Sequence, residues 1–242
     1  MKFMRTMDAD VEKTPILMCV YGNGGVGKTT FAATAPDVAI LDCENGTKYF
    51  KQRGINAVVA KVESWKDIIG VVDALKNTKC KTVVIDPVGE LMQKLQDYLI
   101  EKHGNNSKLV QRSGDTPTIS GWGWLKKQMR RFLTELRDSG LNVIVIAHVM
   151  EDKDDTNQLI KRPALLTSLS QELVNLVDIV GYMTAELNND TNEYERVIHF
   201  RSNGDRFIAK DRTGQLPEKL APDFKEIQKI VNNSNKVKKE NK

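Results

Sequence analysis

Short apolar runs alternate with segments of helical hydrophobic spacing from residue 15 to about residue 147. The helical segments repeat apolar residues on one face, as in residues 88–99 and 122–136. Parallel strands need crossover helices, so this alternation predicts an α/β fold with a mostly parallel central sheet flanked by helices. The predicted strands are the apolar runs at residues 16–21, 38–41, 55–60, 82–85 and 141–147.

The last third of the chain has a different pattern. Ser202-Asn203-Gly204-Asp205 has Asn-Gly at its centre, which is typical of a β-hairpin turn. The flanking segments 194–201 and 206–210 are the predicted strands, so we expect a C-terminal antiparallel hairpin on the parallel core. A helix is predicted at 165–177, a further strand at 178–185 and a last helix at 223–231.

Length and composition indicate one compact domain. The chain has 242 residues, 40% of them hydrophobic, and a formal net charge of +4. We expect an N-terminal extension over 1–14, a core over 15–231 and a disordered basic tail over 232–242. No apolar stretch is long enough to cross a bilayer and no signal sequence is visible, so no membrane association and a cytoplasmic location are expected. Three unpaired cysteines fit small buried residues in a reducing compartment: Cys19, Cys43 and Cys80.

A glycine-rich run between the first strand and the first helix carries the clearest chemistry. It fills the phosphate-binding pattern G-x-x-x-x-G-K-[ST], in which glycines let several backbone N–H groups face one anion. The lysine reaches the terminal phosphates and the threonine hydroxyl ligates Mg²⁺, so a Mg²⁺-bound nucleoside triphosphate such as ATP is predicted. The predicted binding residues are Gly22, Asn23, Gly24, Gly25, Val26, Gly27, Lys28, Thr29 and Thr30.

Polar residues close three of the predicted strands. Asp86 ends an apolar strand in the Walker B manner, which predicts a second Mg²⁺ contact beside Thr29 rather than a simple helix cap. Glu44 follows the strand after the phosphate loop; it is either a general base for the attacking water or a solvent-exposed turn acid. His148 is either a sensor of the terminal phosphate or a strand-end residue bonded to nearby backbone.

Two further groups of polar residues are candidates for anion contacts. Lys210 and Arg212 are one residue apart on a predicted strand, where they form either a pair of trans-acting cations or a solvated strand end. The long polar segments 103–120 and 150–162 combine cations with amides, which suits a phosphodiester backbone. Acidic residues in the second segment weaken that signal, so flexible connections are the alternative.

The order of these elements resembles the RecA-type recombinase ATPase core, in particular the short core-only versions encoded by bacteriophages. The acidic strand end with Glu44, the Walker B strand with Asp86, the sensor position of His148 and the segment 209–217 carry the resemblance. It implies that Glu44 is the catalytic base and that Lys210 and Arg212 reach the ATP of a neighbouring subunit. It also implies that loops 103–120 and 150–162 bind single-stranded DNA in a homo-oligomer, either a ring or a filament, acting in recombination.

Other classes of ATPase remain as alternatives. The run Gly24-Gly25-Val26-Gly27-Lys28-Thr29-Thr30 is similar to the loop of ParA/MinD-type partition ATPases, but their signature lysine is replaced here by Asn23. A hexameric helicase or a DNA-packaging motor would use the same core. A regulatory ATP-binding module is the fourth hypothesis, and it requires Glu44 to lie away from the phosphates.

Overall fold

The fold is known from a computed structural model, which describes residues 15–154, 156–202 and 206–240, without the side chains of Thr167 and 233–240. The strands are β1 (Leu17–Gly22), β2 (Val38–Asp42), β3 (Val58–Lys61), β4 (Thr82–Asp86), β5 (Asn142–Lys153), β6 (Leu159–Pro163), β7 (Ile179–Asn188), β8 (Glu193–His199), β9 (Lys210–Asp211) and β10 (Lys219–Leu220). The α-helices are α1 (Lys28–Ala32), α2 (Val71–Lys76), α3 (Val88–His103), α4 (Ile119–Arg137), α5 (Thr167–Leu176) and α6 (Phe224–Glu240).

Eight of the described strands follow the order β10-β8-β7-β1-β5-β4-β2-β3, while β6 pairs with β5 and β9 with β7 off this path. The six strands from β7 to β3 in this order are parallel, while β8 and β10 join one edge antiparallel. The predicted α/β class with a mostly parallel central sheet flanked by helices is therefore confirmed. Strand β5 lies between β1 and β4, so the phosphate loop and the Walker B residue extend from strands that are not direct neighbours.

Helices cover both faces of the sheet because the central strands are apolar on both sides. Leu17, Cys19 and Tyr21 of β1 face the cluster formed with α3, α4 and α5, whereas Met18 and Val20 face the cluster formed with α1 and α6. This alternation along one strand is what buries β1 completely. The carboxyl end of β1, where the phosphate loop begins, is therefore packed against helices on both faces of the sheet.

One predicted helix is interrupted. Apolar spacing over residues 62–75 suggests a single helix, but a 3₁₀ turn at Trp65–Ile68 precedes α2. Gly70 separates them with φ of 81°, a left-handed conformation that an α-helix does not contain. The glycine thus ends one turn and starts the next.

The antiparallel hairpin is present, but its position differs from the prediction. It is formed by β7 and β8 and turns after Asn188, where the Asn188 side chain accepts a hydrogen bond from the Asp190 amide at 2.9 Å and Asn192 has φ of 57°. The predicted pairing of 194–201 with 206–210 is wrong, because β8 pairs with β7 and β10. Residues 203–205 of the predicted turn lie outside the described residues, as does the predicted extension 1–14.

Two other segments differ from expectation. The polar segment 150–162 is mostly an antiparallel hairpin of β5 and β6 rather than a loop, because β5 continues past the parallel sheet to Lys153. The last helix continues to Glu240, beyond the predicted end at residue 231; the division into extension, core and tail stays a prediction. In the described part of the chain, no helix has both the length and the apolar content needed to cross a membrane.

Candidate nucleotide-binding and hydrolysis site

The phosphate loop leaves β1 at Gly22 and enters α1 at Lys28. Gly25 and Gly27 have φ of 76° and 105°, which are left-handed values that favour glycine. A methyl group on Gly22 would lie 2.3 Å from the Met183 carbonyl oxygen, so strand β7 leaves room only for glycine there. The loop therefore needs glycine both for its left-handed backbone conformation and for its close contact with strand β7.

Lys28 lies within this loop. It is buried, and its Nζ donates hydrogen bonds to the carbonyl oxygens of Gly22 at 2.9 Å and Asn23 at 2.8 Å. Burial lowers the pKa of Lys28, and the carboxylates of Asp86 and Glu44 oppose that shift. A buried ammonium group that donates to backbone carbonyl oxygens of the loop is a cationic hydrogen-bond donor suited to phosphate oxygens.

Asp86 and Thr29 provide the expected donors for Mg²⁺. Asp86 is buried at the end of β4, accepts a hydrogen bond from the Thr29 hydroxyl, and has a second carboxylate oxygen, Oδ2, with no partner among the described residues. Burial raises the pKa of Asp86 to about 6, and the charges of Glu44 and Asp42 add to the rise. An unpartnered carboxylate oxygen beside a hydroxyl fits Mg²⁺; Asp86 and Thr29 would hold the ion, and it would neutralise phosphate charge.

Glu44 and His148 meet at the same edge of the sheet. Asp42 pairs with Asp86, and Gly22 pairs with His148, which lies two residues further along the sheet. Glu44, two residues after Asp42, therefore comes to the level of His148. Glu44 Oε2 lies 3.3 Å from His148 Nε2, and both side chains are partly exposed. The negative charge of Glu44 opposes the lowering of the Lys28 pKa and adds to the rise of the Asp86 pKa. Its position relative to the bound phosphates stays a prediction.

Asp42 fixes the turn that carries Glu44. Its carboxylate accepts hydrogen bonds from the amides of Glu44 at 3.2 Å, Gly46 at 3.1 Å and Thr47 at 3.1 Å, and from the Thr47 hydroxyl at 2.5 Å. Burial by itself would raise the pKa of Asp42, but these bonds outweigh it and hold the pKa below its usual 3.8. Asp42, at the end of β2, therefore positions Glu44, which follows it two residues later.

Residues 14–213 match the family described as AAA domain. The chain belongs to the AAA domain family. No curated protein matches it. A KaiC-like protein from the hyperthermophilic archaeon Pyrococcus horikoshii is 16% identical over 75% of this chain and 76% of that one, with a TM-score of 0.41. A similarity this distant supports no argument about activity.

Family and site together make this AAA domain protein a P-loop ATPase, with Lys28, Thr29, Asp86, Glu44 and His148 at one edge of the sheet. ATP binding and hydrolysis follow from that class. The individual roles of base, sensor and metal ligand stay predictions.

Lys210 and Arg212 lie away from this cluster, at the carboxyl end of α5. Lys210 Nζ donates to the carbonyl oxygens of Val174 and Val177, both at 2.7 Å. Arg212 donates to the Asn175 carbonyl oxygen at 2.9 Å and to Asp178 at 3.0 Å. The AAA domain protein thus uses both cations to cap a helix within its own chain, where they complement the helix dipole. Their action on a neighbouring subunit stays a prediction.

Sequence reasoning missed one cation of this AAA domain protein that does reach the phosphate loop. A methyl group on Gly27 would lie 3.3 Å from Cδ and a terminal nitrogen of Arg196. Arg196 belongs to β8, whose charged first half, Glu193-Tyr194-Glu195-Arg196, carries no motif. Only the pairing of the hairpin brings it to the loop, so no local signal was available.

Proposed function

We propose that this ATPase is an ATP-driven single-stranded-DNA-binding protein that supports homologous recombination by annealing or strand exchange. In this proposal ATP lies between subunits of a homo-oligomer, and hydrolysis releases the DNA. The resemblance to core-only phage recombinases motivates the DNA and recombination parts. A surface groove next to the predicted DNA segment 103–120 is the observation that carries them.

The groove lies between α2, α3 and α4, with a volume of about 1250 Å³. Aromatic groups in it are suited to base stacking: Trp124 packs edge-on against His103 with ring centroids 5.7 Å apart, and Tyr98 is half-buried nearby. Lys102, Lys127 and Arg130 also line it. These three cations have no ion-pair partner in the part of the chain that the structure describes.

The cations and aromatic rings of the groove match the two requirements of single-stranded DNA. Cations neutralise the phosphates, and flat rings stack on bases without reading their sequence. The groove extends the predicted segment 103–120 at His103. The other predicted segment offers less, because Arg162 is buried against Asp152 at 3.3 Å. The β5–β6 hairpin is therefore the weaker part of the predicted DNA surface.

The test is DNA binding by a variant with two groove charges reversed, Lys127→Glu with Arg130→Glu. With a non-hydrolysable ATP analogue, the wild type should bind single-stranded DNA with strong salt dependence. The variant should bind more than tenfold more weakly, and its salt slope should fall by about 0.7 for each lost contact. Basal hydrolysis without DNA should be unchanged, while its stimulation by DNA should be lost.

The matched control is Lys79→Glu with Lys225→Glu, which makes the same charge change at exposed positions outside the groove. Equal DNA affinity of the groove variant and this control contradicts the groove. If the wild type neither binds single-stranded DNA at low salt nor hydrolyses ATP faster with it, the DNA function itself is wrong.

A further inference from the structure

Arg196 is an exposed cation next to the phosphate loop that has no partner of its own. Among the described residues, no hydrogen bond or ion pair involves its guanidinium. Its side chain nevertheless approaches the loop closely, since a methyl group on Gly27 would lie 3.4 Å from Nε as well as 3.3 Å from Cδ. An unpaired guanidinium against a loop built for phosphates is placed to contact the same anion.

The hairpin fixes this position through strand register. Gly22, where the loop begins, pairs with Met183 of β7, and Met183 pairs with Ile198 of β8. Ile198 is buried on the face of the sheet that packs against α1. Arg196 is two residues away on the same strand, so it points to this same face. It pairs with Ala185, beyond Met183, which places it past the end of β1 and beside the loop.

Arg196 reaches the loop from the opposite flank to the acids. Strand β5 contains His148, β4 ends in Asp86, and β2 is followed by Glu44. These three strands all lie on one side of β1, whereas β7 and β8 lie on the other. The metal and the terminal phosphate belong on the side of the acids. A cation on the other side therefore faces the phosphates nearer the nucleoside.

We propose that Arg196 is a nucleotide-anchoring residue that donates from its guanidinium to the α- or β-phosphate of the nucleotide bound in its own subunit. Such a contact is the same in ATP and ADP. It binds the ground state and the transition state equally, so it contributes affinity and not hydrolysis rate. This inference rests on nucleotide binding alone and is independent of the DNA-binding proposal.

The experiment measures the dissociation constants of ATP and ADP, with Mg²⁺ and without DNA, for the wild type and Arg196→Gln. Loss of one charge-assisted hydrogen bond should weaken both nucleotides by about tenfold. KM for ATP should rise by a similar factor with kcat nearly unchanged, and Arg196→Lys should lose less. Lys79→Gln, the same charge change at an exposed site outside the loop, should behave as wild type.

Two results overturn the proposal. Unchanged affinity of Arg196→Gln for both nucleotides means that the guanidinium does not contact them. If Arg196→Gln binds ATP more weakly, binds ADP as the wild type does and has a lower kcat, then Arg196 contacts the terminal phosphate. That result refutes the assignment of Arg196 to the α- or β-phosphate. Thermal melting of the nucleotide-free variants checks that they fold. We expect no decrease in melting temperature, because Arg196 has no hydrogen-bond or ion-pair partner in the described residues.

Discussion

Asp86 keeps a carboxylate buried with one oxygen that receives no hydrogen bond from the described residues. Burial of such a charge is unfavourable, which is why its pKa rises to about 6. Proteins retain such unfavourable groups mainly at functional sites, and Mg²⁺ beside Thr29 is the ligand that these residues fit. The free protein is therefore expected to be less stable than its fold alone would allow.

Replacing Asp86 with Asn should stabilise the nucleotide-free protein by about 1–3 kcal/mol at pH 7, while hydrolysis is lost. The folded-state pKa of Asp86 is raised above its unfolded value, so Asp86 costs no stability below pH 3.8, where it is protonated in both states, and its full cost is reached as pH rises through about 6. The advantage of the variant should therefore grow between pH 4 and 7. Denaturant unfolding in EDTA across this range checks it; an advantage that does not change with pH would contradict the buried charge.

Strand β7 explains why the phosphate loop starts with glycine. The carbonyl oxygen of Met183 lies where a side chain on Gly22 would go, whereas nothing lies within 4 Å of a methyl group on Gly24. Both glycines belong to the phosphate loop, Gly22 at the first fixed position of the motif and Gly24 at a variable one. Their structural requirements are nevertheless different, because only the first is in contact with a neighbouring strand.

The change Gly22→Ala should lower the stability of the free protein by about 2–4 kcal/mol, because β1 and β7 must separate to admit the methyl group. Gly24→Ala is the matched control and should change stability by less than about 1 kcal/mol. Thermal and denaturant melting without nucleotide measures both. Equal stability of the two variants would show that the β1–β7 contact does not constrain the loop.

At the scale of secondary-structure elements, some site positions could be predicted from the sequence and others could not. The phosphate loop, Asp86 and Glu44 were predictable because each belongs to a local motif at the end of one apolar strand. Arg196 and the turn after Asn188 were not, since strand pairing between segments distant along the chain decides where they lie. The apolar spacing over residues 62–75 predicted a single helix, which is wrong because Gly70 adopts a left-handed conformation that interrupts it.

At the scale of the whole molecule, Lys210 and Arg212 connect the end of α5 to strand β9. Four carbonyl or carboxylate oxygens at this end accept their hydrogen bonds at 3.0 Å or less. If the protein assembles with ATP between subunits, the same strand end would face the neighbour's nucleotide. A stabilising cap and a trans-acting cation are thus two roles that a mixing experiment can separate.

Arg212→Ala and Lys28→Ala should each be nearly inactive alone, because a trans-acting cation contributes about 10³-fold or more to the rate. Mixed in equal amounts, they should regain activity, since about one quarter of the interfaces then pair an intact loop with an intact Arg212. Glu44→Gln mixed with Lys28→Ala should show no recovery, as both changes affect the same subunit's site. Absence of recovery in the first mixture would restrict Arg212 to its helix cap.

The central claim is that Glu44, held by Asp42 and paired with His148, acts on the nucleotide bound at Lys28 and Thr29. Comparing ATP binding with single-turnover hydrolysis in Glu44→Gln tests it most directly, because the substitution keeps the size of the side chain and removes its basicity. We predict wild-type affinity for ATP and a hydrolysis rate lower by about 10²–10⁴-fold. Hydrolysis at the wild-type rate would contradict the account and leave Glu44 as an exposed turn residue.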